Sequence, residues 1–169
     1  MGVPEMHADI EPIAFLLGRW EGAGVGGYPT MESIQFGQEV VFGHNGKPFL
    51  TYESRTWLLN EEGERVRPTA IETGFWRALP ERQLEVVLSH PTGIVEIYLG
   101  EVVFNKIELA TDVVARTSTA KEYAAGRRMY GLVNGNLMWV YEMAALGKPM
   151  QPHMSAELKK VADFAGDDA

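Results

Sequence analysis

Cysteine is absent from this chain of 169 residues. That removes disulfides, thiolate metal sites and cysteine nucleophiles together. A chain that folds without disulfides suits a reducing compartment, so a cytoplasmic location is expected. Long apolar runs are also missing; none approaches the roughly 18 residues of a membrane span. The start, MGVPEMHADIEP, carries acidic residues and no apolar segment of the kind a secretory signal needs. Gly2 would invite myristoylation only with Ser or Thr at position six, which is Met6. Positive charge is sparse and scattered, with 15 Lys and Arg against 23 Asp and Glu, a formal net charge of −8. Neutralising phosphates needs a clustered basic face, so nucleic acid and anionic membranes are excluded as partners. There is no G-x-S-x-G, no H-E-x-x-H and no Asp/His pair at ligand spacing, which removes the common hydrolytic chemistries.

What is present is a series of short alternating segments. In Ser33 to Phe42, SIQFGQEVVF, Ile34, Phe36, Val40 and Phe42 share one face, interrupted by Gln38. Pro48 to Leu58 alternates again, and further strand candidates are 71–79, 84–89, 94–99, 102–109, 113–119, 127–133 and 137–144. Asn134-Gly135 is the strongest turn signal, because both central residues of a type I′ turn need positive φ. Pro12 to Leu17 reads as a short helical turn. Met154, Leu158 and Val161 recur at helical spacing, so a helix is expected from about Gln151 to Phe164, with a frayed tail from Gly166. No repeat or linker divides the chain, which reads as one domain over 1–169 with its core at about 12–164. About ten strands of this kind predict an all-β, ten-stranded antiparallel up-and-down barrel of the lipocalin or fatty-acid-binding type. Closure removes exposed sheet edges, and an interior too wide for side chains to fill becomes a ligand cavity.

Gly18-Arg-Trp20-Glu-Gly22-Ala-Gly24 gives G-x-W-x-G-x-G. It lacks the G-K-[ST] of a phosphate loop and reads as a first barrel strand whose Trp20 plugs one end. With this motif, the segments Gly27-Tyr-Pro-Thr30, Glu39 to Phe49, Glu72-Thr-Gly-Phe75, Thr92 to Glu96, Ala120-Lys-Glu122 and Pro149-Met-Gln-Pro-His153 follow in order. From about Leu16 to Val161 the sequence resembles the nitrobindins, haem-binding ten-stranded barrels. The resemblance implies one haem b per chain with His153 as the proximal iron ligand. Lys121 and Arg128, placed near the rim, are then candidates for the propionates, and Thr30 for the pocket edge. It also implies a haem-dependent peroxynitrite isomerase that converts peroxynitrite to nitrate at ferric iron and binds nitric oxide there.

One departure stands out. Nitrobindins typically carry a distal histidine four residues before the glycine of the E-[ST]-G-[FY] segment; here that position is Ala70, beside Thr69. His44, in Gly43-His-Asn-Gly46, and His90, in Leu88-Ser-His-Pro-Thr-Gly93, could replace it in principle, but both read first as turn residues. Without a distal donor, bound O₂ loses hydrogen-bond stabilisation, which disfavours reversible oxygen carriage. Two other functions stay open: a carrier of a fatty acid or similar apolar ligand, with Arg55 or Arg128 and Tyr130 meeting its carboxylate, and a sensor of haem or nitric oxide. Glu72, Glu85 and Glu96 read as outward charges on strands, and an exposed strand edge could pair into a homodimer.

Overall fold

The computed structural model describes residues 2–166. Of the frayed tail expected from Gly166, residues 167–169 lie outside the described residues. The strands are β1 Gly18–Tyr28, β2 Met31–Gly43, β3 Phe49–Leu59, β4 Arg65–Ala78 and β5 Gln83–His90, followed by β6 Ile94–Val103, β7 Lys106–Arg116, β8 Tyr123–Val133, β9 Asn136–Ala145 and β10 Gln151–Ala162. Each pairs antiparallel with its sequence neighbours, and β1 pairs with β10 to close a ten-stranded barrel. Closure occupies the outer edges of the first and last strands, while β4 pairs with β5 only from Thr73 onward and β7 with β8 only as far as Ala110.

The strand number agrees with the sequence reading, but two assignments do not. Segments 102–109 and 113–119 are not separate strands. The turn falls at Phe104–Asn105, and a single β7 runs through to Arg116. The expected C-terminal helix is instead β10. A spacing of four is shared by both periods, since it is close to one helical turn and also two strand repeats. Met154, Ala156 and Leu158 lie in phase on the inner face, whereas Val161 is exposed. The open edges of β1 and β9 decide the matter by pairing with this segment. At the Asn134-Gly135 turn both residues have positive φ, 52° and 80°, as a type I′ hairpin requires.

One end of the barrel is sealed. A 3-10 helix, Ala8–Leu16, begins four residues before the expected turn and lies across this end. Ile10, Ile13 and Leu16 are wholly buried beneath it, and Trp20 Nε1 donates to the Leu16 carbonyl at 2.8 Å. The glycines of the G-x-W-x-G-x-G motif let β1 lie close against β10: a Cβ at Gly22 would sit 2.1 Å from the Glu157 carbonyl oxygen, and one at Gly24 2.2 Å from that of Ser155. No helix of the described chain is long and apolar enough to cross a membrane.

Candidate functional site

At the opposite end the interior is incompletely filled. A cavity of about 210 Å³ lies among Thr56, Ala70, Ile94, Met143, His153 and Met154, with Gln38, Trp139, Tyr141 and a polar cluster beneath them. His153 enters it through a local irregularity in β10. Pro152 pairs with Glu142 and Met154 with Tyr141, so His153 has no partner on β9. Such a bulge re-aims a side chain, and here it brings His153 and its neighbour Met154 to the same cavity rather than to opposite faces.

The imidazole is held on three sides. Its Nδ1 lies 3.0 Å from the Gly27 carbonyl oxygen, which can only accept, so Nδ1 carries the proton and Nε2 keeps a free lone pair. Tyr28 and Tyr141 meet the ring edge-on, each at 5.6 Å between centroids. Tyr28 is itself fixed by the Ala145 amide, which donates to its hydroxyl at 3.0 Å. Burial pushes the pKa of His153 below its ordinary value, as does the charge of Arg128, and the Gly27 bond offsets this only in part. The ring is therefore kept neutral, the form that binds a metal. Among the described residues no group of three or more His, Asp or Glu side chains could hold a bare metal ion. One aimed, neutral imidazole over an aromatic and thioether-lined space fits an iron that brings its own equatorial ligands, as haem does.

The cavity floor is charged, and the sequence reading missed it. Arg128 from β8 is buried in the barrel interior, not at the rim. Its guanidinium donates to both oxygens of Glu72, at 2.6 and 3.0 Å, and lies 3.5 Å from Glu96. Glu72 and Glu96 point inward, contrary to the outward reading; only Glu85 is an outer charge, paired with Arg77. Glu96 also accepts from Tyr98 and Tyr123, the latter at 2.6 Å, and from His90 Nε2 at 2.5 Å. Burial raises the pKa of Glu96, but the His90 bond, Arg128 and the tyrosine hydroxyls outweigh it and hold the value down at about 2. Glu72 is lowered too, since Arg128, His90 and Tyr52 outweigh its burial. Burial pushes the hydroxyls of Tyr52, Tyr98, Tyr123, Tyr130 and Tyr141 upward, so all five stay neutral. Gln38, whose polarity broke the apolar face of β2, donates to Ser54 at 2.9 Å and accepts from Trp139 Nε1 at 2.8 Å.

Strand parity carried a signal for these residues. Glu72 is in phase with buried Trp76 and Ala78, Glu96 with buried Tyr98 and Val102, and Arg128 with Tyr130. The remaining candidates are scattered. Ala70 is exposed at the cavity edge, and Thr69 shares a hydrogen bond of 2.7 Å with Thr56. Thr30, in the β1–β2 turn, and Lys121, between β7 and β8, are exposed at the open end and do not line the cavity. His44 is buried at the sealed end, where its Nδ1 accepts from the Gly46 amide at 3.1 Å. His90 is not a plain turn residue but part of the cavity wall. Arg55 is exposed on the outside, paired with Glu53 at 2.6 Å.

Comparison with known proteins identifies the family. Residues 9–160 match the family model described as THAP4-like, heme-binding beta-barrel domain. A protein of Nocardioides sp. named peroxynitrite isomerase is 51% identical, over 90% of this chain and 93% of its own length. One of Streptomyces griseus named ferric nitrobindin-like protein is 49% identical, over 93% of this chain and 84% of its own. The crystal structure of Rv2717c from M. tuberculosis superposes with a TM-score of 0.84 at 36% identity, covering 92% of this chain and 99% of the other. The chain belongs to the THAP4-like heme-binding β-barrel family, the nitrobindins.

Proposed function

We propose that this protein holds one haem b at the open end of the barrel, with His153 Nε2 as the proximal ligand, and that it isomerises peroxynitrite to nitrate. The observation that carries the reading is the His153–Gly27 hydrogen bond, which fixes the ring and its tautomer with the lone pair free. The names of the relatives supply the reaction. Held by His153, a ferric haem would supply the Lewis-acidic iron for peroxynitrite or nitric oxide. The chain's own groups orient the imidazole, keep it neutral and line the ligand with apolar and thioether surface from Ile94, Met143 and Met154. Thr30 and Lys121, on connections at the open end, are assigned to the outer edge of the porphyrin, Lys121 as a propionate partner. Arg128 is not available for that task, since two carboxylates already hold it.

The same pairing weakens the lipid-carrier reading. A fatty-acid carboxylate would need a free interior cation, and Arg55 faces outward while Arg128 is saturated. The test is addition of hemin to the purified protein and to a His153→Ala variant. Burying several hundred Å² of porphyrin at roughly 25 cal/mol/Å² is worth on the order of 10 kcal/mol before entropy costs. The variant should therefore still take up haem but lose the histidine-ligated ferric spectrum and the isomerase activity. An unchanged Soret band would remove His153 from the role.

A further inference from the structure

His90 stands on β5, and β5 and β10 are diametrically opposed: four strands separate them in either direction around the barrel. His90 closes β5 at the open end, and its side chain, 18% exposed, lines the same cavity as His153. A flat ligand standing in this cavity thus has one imidazole on each side of it, although the family's distal position is Ala70. The two rings differ in their partners. His153 rests on a carbonyl. His90 Nε2 donates to Glu96, and its Nδ1 lies 3.7 Å from Glu72 Oε2, beyond hydrogen-bond distance.

The cluster around His90 carries unbalanced charge. Glu72 and Glu96 are both ionised, Arg128 supplies one positive charge, and the five tyrosines are neutral. Leaving His90 itself out of the count, one negative charge is left over. Every carboxylate oxygen is already engaged: Glu72 by Arg128 and Tyr52, Glu96 by His90, Tyr98 and Tyr123. His90 Nδ1 is the position in this cluster where a proton can be added without displacing a hydrogen bond.

We propose that His90 holds the proton that enters with an anionic ligand, placing a compensating positive charge opposite His153. This rests on the haem reading above and adds to it a proton-holding residue on the distal side. A weak acid HX would leave X⁻ in the cavity and H⁺ on His90 Nδ1; no electrons move, and the proton is returned when X⁻ leaves. Without that proton, an anion in the cavity would face a floor of its own sign in a low dielectric, which opposes binding. Ala70 then has a physical sense: a small side chain on β4 leaves the path between β5 and the ligand clear.

The experiment uses the haem-loaded protein, azide as the probe, and the variants His90→Gln and His90→Phe. Glutamine can still donate to Glu96, which preserves the structural bond, but it cannot gain a proton; phenylalanine does neither. Wild type should take up one proton per azide bound at near-neutral pH, so that apparent affinity falls about tenfold per pH unit. Both variants should keep the wild-type Soret band, lose the proton uptake and bind azide with little pH dependence. Proton uptake persisting in His90→Gln would overturn the proposal. A second readout needs no haem: nuclear magnetic resonance of the unloaded protein should show a downfield, slowly exchanging His90 Nε2–H held by Glu96. Its absence would also overturn the proposal, whereas its presence in a protein that fails to take up haem would sink the haem reading alone.

Discussion

Arg128 governs the interior electrostatics, because its guanidinium pairs with two carboxylates whose side chains are 16% and 1% exposed. Breaking a buried ion pair by removing one partner costs about 3–5 kcal/mol, since the remaining charge is stranded. Arg128→Met should lower stability by that order in urea unfolding; a loss below about 1 kcal/mol would show that water reaches the cluster freely. The acid limb of stability belongs to the same residues. Glu96 lies below its ordinary value of 4.5, at about 2, and Glu72 is lowered as well. The unfolded chain therefore binds more protons in acid than the folded one does. The contribution of Glu96 is complete above about 4.5 and is lost as pH falls toward about 2. Unfolding midpoints measured across that window should fall more steeply for wild type than for Glu96→Gln, and equal slopes would contradict the assignment. At this scale the sequence was only partly legible. His153 was found through its proline-rich setting in the family pattern. Glu72, Glu96 and Arg128 were misplaced because an acidic or basic residue on a strand is usually solvated, and that habit overrode the parity with Trp76, Tyr98 and Tyr130.

Elements were legible where a turn residue or strict alternation marked them, as at Asn134-Gly135 and along β2. They were not legible where two periods coincide, as from Met154 to Leu158, or where a turn carries neither Gly nor Pro, as at Phe104–Asn105. In β10 the closing of the barrel settles the choice. The glycines of β1 belong to this closure. A Cβ on Gly24 would meet the Ser155 carbonyl oxygen at 2.2 Å and the Phe36 ring at 2.6 Å, and the backbone atom cannot swing aside. Gly24→Ala should therefore force β1 and β10 apart and cost about 1–3 kcal/mol, as overpacked sites do. Because Ser155 lies two residues from His153, hemin affinity should fall in the same variant. A Gly24→Ala protein with wild-type stability and uptake would mean that the motif serves something other than strand closure.

Across the whole molecule, the apolar seal and the ligand chemistry sit at opposite ends of one barrel. Ile10, Ile13, Leu16 and Trp20 seal one end with no exposure above 1%, while the other keeps its imidazoles, carboxylates and tyrosines around an open space. A filled, plugged end lets the open end carry polar groups and unfilled volume that would weaken a uniformly packed domain. The two ends should then respond separately to substitution. Trp20→Ala removes the largest side chain of the seal together with its bond to the Leu16 carbonyl. It should cost about 3–5 kcal/mol, while leaving the position of the Soret band unchanged in the fraction that remains folded. His153→Ala should do the reverse, altering the spectrum while costing about 0.5–1.5 kcal/mol for the single hydrogen bond to Gly27. Thermal unfolding and absorption spectra of both variants, each with and without hemin, check the separation. A shifted Soret band in Trp20→Ala would show that the seal helps to shape the haem site, and the division of labour between the two ends would fail.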